Sequence, residues 1–359
     1  MPITTTADEG PGERDLLSPF ERSALSAAHR LRTGWFTAQY LLSRRLSPPS
    51  GVPDEIRAAM PSAAMLTADR DALMRRDIDN IAAGYYRAPH DLLNNPLRIL
   101  QRSLAYFADL PSVNRRRRGE EQPELAAEVA ADFPAYYRRA YHHQTDGYLS
   151  EKSARLYDHQ VEVLFGGAAD AMRRQALVPI HHFLRGRNGA ECRLIDVACG
   201  TGHFLTFVKD NYPRLRCTAL DISPYYVAEA RRNLASWSRC DFVQAAIESN
   251  DLPAASFDIA TCIYLFHELP AAMHGKAAAA IARLVKRGGL FVFIDSLQYG
   301  DRAEYDALLE SFPFAFHEPY YADYLRQDLK TVFESAGFVL ENVELAYLSR
   351  VMTFRRSGG

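Results

Sequence analysis

The spacing of apolar residues changes along the chain near residue 190. Before this point, apolar positions recur at helical spacing in a sequence rich in Ala, Leu and Arg. After it, short apolar runs of strand length are followed by helical patterns. The first part therefore predicts helices, and we expect them over Phe20–Arg45, Pro53–Met60, Asp69–Tyr86, Pro96–Phe107 and Pro123–Asp132.

One strand-to-helix junction carries the clearest chemical signal. The apolar run Leu194–Val197 contains Asp196 and leads into the small-residue loop Ala198–Gly202, after which a helix begins. Glycine lacks a Cβ and tolerates positive φ, so such a loop lets backbone amides approach a ligand closely. The helix start adds unpaired N–H groups and positive dipole character. The junction predicts a nucleotide-like cofactor; a tight turn without a ligand is the structural alternative.

A second strand ends in another acid. The run from Cys217 to Asp221 is followed by Ser223 and Pro224, which form a typical helix start. Asp221 lies about 20 residues past the loop, where Rossmann-type folds place the carboxylate that binds ribose hydroxyls. Asp221 could also be a helix cap, but its distance from Gly202 favours the ribose role.

The acid before the loop distinguishes between cofactors. Asp196 would repel a pyrophosphate and attract an ammonium group, and Leu205 stands where the dinucleotide fingerprint has its third glycine. S-adenosyl-L-methionine has no phosphate and carries an ammonium group. At these residues the sequence resembles the class I S-adenosylmethionine-dependent methyltransferase family, whose first motif reads acid-x-G-x-G-x-G. Ala198 replaces the first glycine of that motif.

The resemblance extends in order from Ala190 to Arg356 and implies an α/β fold, a Rossmann-like seven-stranded sheet with helices on both faces. It places the third, fourth and fifth strands at Cys240–Gln244, Ser256–Tyr264 and Arg287–Asp295, and the last two at Ala336–Phe338 and Leu345–Phe354. The residues that the resemblance assigns to the cofactor, or to its product S-adenosyl-L-homocysteine, are Asp196, Ala198, Cys199, Gly200, Gly202, Asp221, Ile222, Ala246, Ile247, Tyr264, Tyr157 and Tyr148.

One position departs from the family pattern. Many members carry Gly-Asp-Ala after the third strand, and the Asp accepts from the adenine amino group. This chain has Ala245, Ala246 and Ile247 there. Backbone groups near Ala246 and Ile247 could hydrogen-bond the adenine, and Glu248 is a possible substitute for the missing acid.

The segment upstream of the sheet is dense in aromatic residues. We expect three units: a helical N-terminal region over 1–132, an aromatic-rich lid with connecting helices over 133–189, and the cofactor-binding domain over 190–359. Family members often fold the segment before the core over cofactor and substrate. The alternative is that these tyrosines pack the helices against the core. The substrate-binding candidates are Tyr141, His143, Tyr320 and Tyr321.

The methyl-transfer site has one candidate base. His267 follows the fourth strand and titrates near neutral pH, so it could accept a proton from a hydroxyl or ammonium group. His267 could instead hydrogen-bond the loop or the cofactor carboxylate. Glu268 is a weaker catalytic candidate. No histidine or carboxylate cluster at ligand spacing occurs in the sequence, so we expect no metal.

Charge and cysteine content limit the kinds of binding partner and the cellular compartment that we expect. The 42 basic and 44 acidic residues nearly balance, which argues against nucleic-acid binding. The run Arg115–Arg118 is better interpreted as a solvated loop than as an RNA-binding patch. Five cysteines without paired spacing indicate thiols in a reducing compartment, and neither a secretory signal nor a membrane span is visible, so we expect a cytoplasmic protein.

These features together predict methyl transfer from S-adenosyl-L-methionine to a small or medium-sized organic molecule. The methylated atom (O, N or C) and the oligomeric state stay open. The alternatives are a non-catalytic protein that binds the cofactor and, less favoured, an NAD-dependent oxidoreductase.

Overall fold

The N-terminal region is helical. A computed structural model describes residues 15–90, 92, 96–120, 132–139 and 141–358. Its first four helices are α1 (Pro19–Leu46), α2 (Asp54–Ala59), α3 (Ala63–Ala82) and α4 (Pro96–Arg117). Each corresponds to a predicted helix, whereas most of the predicted helix Pro123–Asp132 lies outside the described residues. A capping box at Ser18 begins α1 by satisfying backbone N–H groups that have no partner within the helix.

The arginine run is not a loop: Arg115–Arg117 are helical, and Arg116 is buried, so the predicted solvated loop is wrong for these residues. Helix α4 continues ten residues past its predicted end at Phe107 and takes Arg115–Arg117 into its last turn. There the cations face the negative end of the helix dipole. Arg116 is buried and donates to the backbone oxygen of His143 at 2.8 Å and to Thr145 Oγ1 at 2.7 Å. At least one of these guanidinium groups therefore holds the aromatic-rich segment in place.

Three further helices connect the N-terminal region to the sheet. They are α5 (Glu151–Leu164), α6 (Ala169–Arg174) and α7 (Leu177–Leu184). Before them, short 3-10 turns form at Ala135–Tyr137 and Tyr141–His143. Helix α5 packs against α1 and α4 on one side and, on the other, against a helix of the α/β part.

The α/β part contains a seven-stranded sheet in the order β3-β2-β1-β4-β5-β7-β6. Strands β1 to β5 are parallel, and β7 runs antiparallel to both β5 and β6. The strands are β1 (Arg193–Val197), β2 (Arg216–Asp221), β3 (Cys240–Gln244), β4 (Phe257–Ile263), β5 (Val285–Ser296), β6 (Phe338–Ala346) and β7 (Ser349–Arg356). The predicted seven-stranded sheet is confirmed, but Leu345 and Ala346 end β6, and β7 begins only at Ser349.

Helices cover both faces of the sheet. The remaining helices are α8 (His203–Asn211), α9 (Pro224–Asn233), α10 (Ala271–Leu284), α11 (Asp306–Ala315), α12 (Tyr321–Tyr324) and α13 (Leu329–Ser335). Successive side chains of a strand point to opposite faces. Accordingly Leu194 packs in one apolar core, together with Leu73 of α3, while Ile195 and Val197 pack in the other. The N-terminal helices thus complete the core on one face of the sheet.

A buried ion pair joins this helical region to the connecting helix α6. Asp77 of α3 is fully buried and accepts two hydrogen bonds from Arg174 of α6, at 3.0 and 2.7 Å. Tyr86 donates a third at 2.8 Å, and His29 Nε2 lies 3.2 Å from the carboxylate. Burial alone would raise the pKa of Asp77, but Arg174 and His29 outweigh it and hold the pKa well below its usual range. The carboxylate is therefore charged and compensated within the protein.

We expect Asp77→Ala to lower the free energy of unfolding by about 3–5 kcal/mol, because it leaves the Arg174 guanidinium buried without its counter-ion. Denaturant unfolding measures the loss, with the exposed residue Asp71→Ala as control. A loss below about 1 kcal/mol would mean that the pair does not stabilise the contact between the two regions.

Candidate functional site

A cavity opens at the carboxyl ends of β1, β2 and β4. Ligands of open α/β sheets bind at these ends, where the order of the strands reverses; here that point lies between β1 and β4. Its walls come from the glycine loop, from the loops after β2, β3 and β4, and from the aromatic-rich segment. The lining residues include Tyr136, Tyr137, Tyr141, Tyr148, Tyr157, Ala198, Gly200, Asp221, Ile222, Tyr226, Ala246, Ile247, Glu248, Tyr264 and Glu268.

The loop after β1 adopts a left-handed backbone at three positions. The φ angles of Ala198, Gly200 and Gly202 are 55°, 55° and 69°. Glycine adopts such angles freely, whereas the alanine adopts them at a cost in conformational free energy. A Cβ on Gly202 would lie 2.9 Å from the Cβ of Ala230 in α9, so this glycine is required for helix packing. Ala198 and Gly200 face the cavity; Gly202 does not line it.

Asp221 lies at the rim of the loop. Its carboxylate accepts from the backbone N–H groups of Gly200 at 2.9 Å and Ser223 at 2.8 Å. Burial raises its pKa to about 6, and these two hydrogen bonds limit the rise. A carboxylate can accept at about four sites. Asp221 therefore keeps acceptor capacity on a side chain that lines the cavity.

Asp196 lies beneath the loop and is buried. It accepts from the Thr261 hydroxyl at 2.6 Å. Burial raises its pKa to about 7; the Thr261 hydrogen bond opposes the rise and the charge of Asp221 adds to it. Asp196 does not line the cavity wall. Its charge would reach a ligand over or through the loop.

Tyrosines enclose the cavity on the side opposite the sheet. The ring of Tyr148 lies 5.9 Å from Tyr137, 5.7 Å from Tyr141 and 5.5 Å from Tyr226, between ring centroids. The backbone oxygen of Tyr148 accepts from Ser223 at 2.6 Å, and Tyr148 also donates to the carboxylate of Glu268. The aromatic segment is thus anchored to the sheet on both sides of the cavity.

The loop after β3 forms one end of the cavity. The Ala245 N–H donates to the backbone oxygen of Asp221 at 3.0 Å, which positions Ala246 and Ile247 beside it. Glu248 accepts from the Tyr136 hydroxyl at 2.5 Å. The side chain proposed as a substitute for the missing acid is therefore engaged with the aromatic segment.

A histidine–carboxylate pair lies behind the cavity wall, next to the lining residue Glu268. His267 Nδ1 lies 2.5 Å from Oδ1 of the fully buried Asp295, whose other oxygen accepts from the Phe266 N–H at 2.8 Å. Burial would lower the pKa of His267, but Asp295, helped by Glu318 and Glu268, raises it to about 10. The imidazole is consequently protonated at neutral pH, a state in which it cannot accept a proton.

A second, larger cavity of about 570 Å³ adjoins the first. Helices α1, α4, α5 and α11 contribute its walls, which include Leu41, Leu110, Val113, Phe312 and Phe316. Tyr157 lines both cavities. His142 also faces the larger one, and its Nδ1 lies 3.3 Å from Glu318.

The structure separates the predicted site residues into two groups. Most of those assigned to the cofactor line the first cavity, as does Tyr141. Seven described residues that were predicted for the site line neither cavity: Asp196, Cys199, Gly202, His143, His267, Tyr320 and Tyr321. Tyr321 is a core residue whose hydroxyl is hydrogen-bonded to Ser296 at 2.6 Å.

Sequence reasoning did not assign several residues that the structure brings to the site. Tyr136, Tyr137 and Tyr226 line the first cavity, and Asp295 and Glu318 hold the histidines. One signal was available for Asp295, since an acid at the carboxyl end of a central parallel strand lies at the ligand-binding edge.

Asp196 leads to a pH-dependent prediction. A carboxyl group whose pKa is raised by folding destabilises the protein progressively as pH rises from its unfolded pKa to its folded pKa. This window extends from about 4 to about 7 for Asp196. We therefore expect Asp196→Asn to raise the melting temperature of the ligand-free protein more at pH 8 than at pH 5.

Thermal unfolding at the two pH values measures the difference, and Asp241→Asn on the surface is the matched control. An equal effect of Asp196→Asn at both pH values would contradict the raised pKa.

Comparison with known proteins agrees with the geometry. Residues 194–289 match the family model of a methyltransferase domain. A malonyl-[acyl-carrier protein] O-methyltransferase of Geobacter sulfurreducens is 27% identical over 206 residues, which cover 53% of this chain and 75% of the relative. Isonocardicin synthase of Nocardia uniformis subsp. tsuyamanensis is 33% identical over 148 residues, which cover 41% of this chain and 43% of the relative.

Among solved structures, an O-methyltransferase family protein from Burkholderia thailandensis aligns with a TM-score of 0.48 and 16% identity over 73% of each chain. Within the described residues, no helix is long and apolar enough to cross a membrane. The matched domain begins on β1 and contains the glycine loop and Asp221, in a sheet of the expected strand order. Residues 194–289 are therefore a methyltransferase domain, and the family match and the curated relatives support a class I S-adenosylmethionine-dependent methyltransferase.

Proposed function

We propose that the protein transfers the methyl group of S-adenosyl-L-methionine to a small or medium-sized organic molecule held in the larger cavity. One observation carries the proposal: the tyrosine-covered cavity at the carboxyl ends of β1, β2 and β4 adjoins an apolar chamber of about 570 Å³. The residues that line the smaller cavity are those that we assign to the cofactor, and the larger cavity would hold the reaction partner.

Residues of this chain fit the cofactor part by part. Asp221 keeps acceptor capacity for ribose hydroxyls, while Gly200 offers close backbone approach. Ala246 and Ile247 border the space for the adenine, and the charge of Asp196 favours the ammonium group. Tyr148 and Tyr157 would exclude water and face the sulfonium, which aromatic rings attract.

The cofactor, when bound, supplies a methyl group already activated by the sulfonium. The chain must then align the acceptor and exclude water. For a nucleophile that carries a proton, we assign the role of acceptor to Glu268, a carboxylate that lines the cavity at the turn after β4 and is free to take a proton while no metal is bound to it. His267 holds its own proton against Asp295, so we assign it an orienting and electrostatic role.

The larger cavity indicates an apolar substrate with an anionic group. Arg44, Arg70 and Arg117 line it among apolar side chains. Burial lowers the pKa of Arg117, and its Nε is buried with no hydrogen-bond partner among the described residues. A carboxylate or sulfonate on the substrate would supply that partner.

We further propose that the three units begin at residues 1, 133 and 190, and that the protein works in the cytoplasm. The cytoplasmic assignment rests on the five cysteines, all of which stand as thiols.

The cofactor assignment predicts the behaviour of Asp221. Hydrogen bonds to a charged group contribute about 1.5–3 kcal/mol, so Asp221→Ala should weaken S-adenosyl-L-homocysteine binding at least tenfold. Asp221→Asn should be less harmful, because one acceptor remains. Calorimetry on the full chain measures both, with Asp241→Ala as the surface control.

The same titration with NADH tests the oxidoreductase alternative, and transfer of labelled methyl groups to metabolite extracts tests the non-catalytic one. Unchanged S-adenosyl-L-homocysteine affinity in both Asp221 variants would leave this residue a helix cap. Tighter binding of NADH than of S-adenosyl-L-homocysteine would refute the proposed function.

If the larger cavity is the substrate site, the protein should bind an apolar anion there. The dye anilinonaphthalene sulfonate combines fused rings with a sulfonate, and we expect it to fluoresce saturably with the native protein. Arg117→Gln should weaken its binding about tenfold, whereas Arg118→Gln, one residue further and half-exposed, should not. Equal affinities in the two variants would remove Arg117 from the substrate site.

A further inference from the structure

Three potential metal ligands converge where the two cavities meet. They are His142 of the aromatic segment and His267 and Glu268 of the turn after β4, and one ligand atom from each lies within 4.8 Å of the others. Glu268 Oε1 lies 3.7 Å from His142 Nε2 and 3.9 Å from His267 Nε2. Both distances exceed hydrogen-bonding range, so direct hydrogen bonds between these groups do not explain the arrangement.

Both imidazoles are oriented by buried carboxylates. His267 Nδ1 faces Asp295 at 2.5 Å, and His142 Nδ1 faces Glu318 at 3.3 Å. The two Nε2 atoms are thereby directed towards the same carboxylate, that of Glu268. Histidines that bind metals almost always place their second nitrogen against a carboxylate, a backbone carbonyl or water, which sets the tautomer and the ring orientation.

Glu318 supplies an independent observation. It is 4% exposed, and its Oε2 is buried with no hydrogen-bond partner in the described part of the chain. Glu318, Asp295 and Glu268 bring three carboxyl groups together around two imidazoles. Buried charges of this kind are costly unless they are paired or coordinate a metal.

We propose that His142, His267 and Glu268 bind one divalent transition-metal ion of the zinc or iron(II) class at the wall between the two cavities, and that His267 releases its Nε2 proton to solvent when the ion binds. Two histidines and one carboxylate form a ligand set of zinc enzymes and of non-haem iron proteins. Bonds of about 2.1 Å require ligand atoms about 3.0–3.4 Å apart. The two separations from Glu268, 3.7 and 3.9 Å, need to shorten by about 0.5 Å, and no pair of ligand atoms is more than 4.8 Å apart.

The position of the site gives the ion a role. Glu268 lines the cofactor cavity and His142 lines the larger one. Three protein ligands leave coordination positions open, and an oxygen of the substrate could occupy one of them beside the cofactor. Metal binding itself does not depend on the proposed function; only this role in substrate positioning does.

The full-length protein, stripped of metal with a chelator, tests the site. We expect Co²⁺ to bind with one equivalent per chain and to develop visible absorption, and Zn²⁺ to displace it. His142→Gln and Glu268→Gln should each weaken binding at least tenfold. Glu318→Gln, which alters only a positioning residue, should weaken it about tenfold or more.

His182→Gln is the matched control. His182 is an exposed histidine of α7 and does not belong to the cluster, so its replacement should leave the Co²⁺ affinity unchanged. Thermal unfolding of each variant verifies that it is folded. Absence of stoichiometric binding to the native protein, or equal affinity in native protein, His142→Gln and Glu268→Gln, would overturn the proposal.

S-adenosyl-L-homocysteine binding, measured on the same metal-free samples, separates the two assignments. Cofactor binding without metal binding refutes the metal site alone. Metal binding without cofactor binding refutes the proposed function and leaves the metal site standing.

Discussion

The removal of carboxylates from water is the constraint on which this structure depends. A buried carboxylate must be compensated by cations or hydrogen bonds, or it takes up a proton. Asp77 and Asp170 are compensated by arginines, and both connect the N-terminal helices to the connecting helix α6. In those two places the compensation is internal and stabilises the contact between regions. The acids near the cavities are compensated less completely, and this difference distinguishes structural from functional carboxylates in the molecule.

The cavity acids form a graded series. Asp221 accepts hydrogen bonds from two backbone N–H groups, and Asp196 accepts one from a hydroxyl group. One oxygen of Glu318 has no hydrogen-bond partner among the described residues. The pKa of each is raised, with burial as the first cause. A cation or hydrogen-bond donor on a bound ligand would stabilise the charged form of each of these carboxylates. The protein thus retains unfavourable electrostatic energy at the cavities, as functional sites often do.

The parts of the fold and site that could be predicted from the sequence are local ones. The strand, glycine loop and helix around Asp196, and the acid at the end of β2, lie within about 30 residues, and their spacing reflects the geometry of one βαβ unit. The cluster of His142, His267 and Glu268 brings one histidine next to a pair of residues more than 120 positions further along the chain, and no spacing rule relates them. For the same reason, Arg116 could not be recognised as buried, because its acceptors at His143 and Thr145 lie about 30 residues further along.

Tyr157 forms part of the wall of both cavities, and this has a consequence for the kinetics of the enzyme. Its ring lies 5.5 Å from Tyr226 and 6.1 Å from Tyr148, so it cannot shift without disturbing its neighbours. A ligand in either cavity therefore fixes the position of the Tyr157 ring, which a ligand in the other cavity also contacts. Such a coupling is reciprocal, since each ligand changes the affinity of the other by the same factor. Steady-state rates with two varied substrates should accordingly show an interaction factor different from one, and the demethylated product should change the apparent affinity for the acceptor.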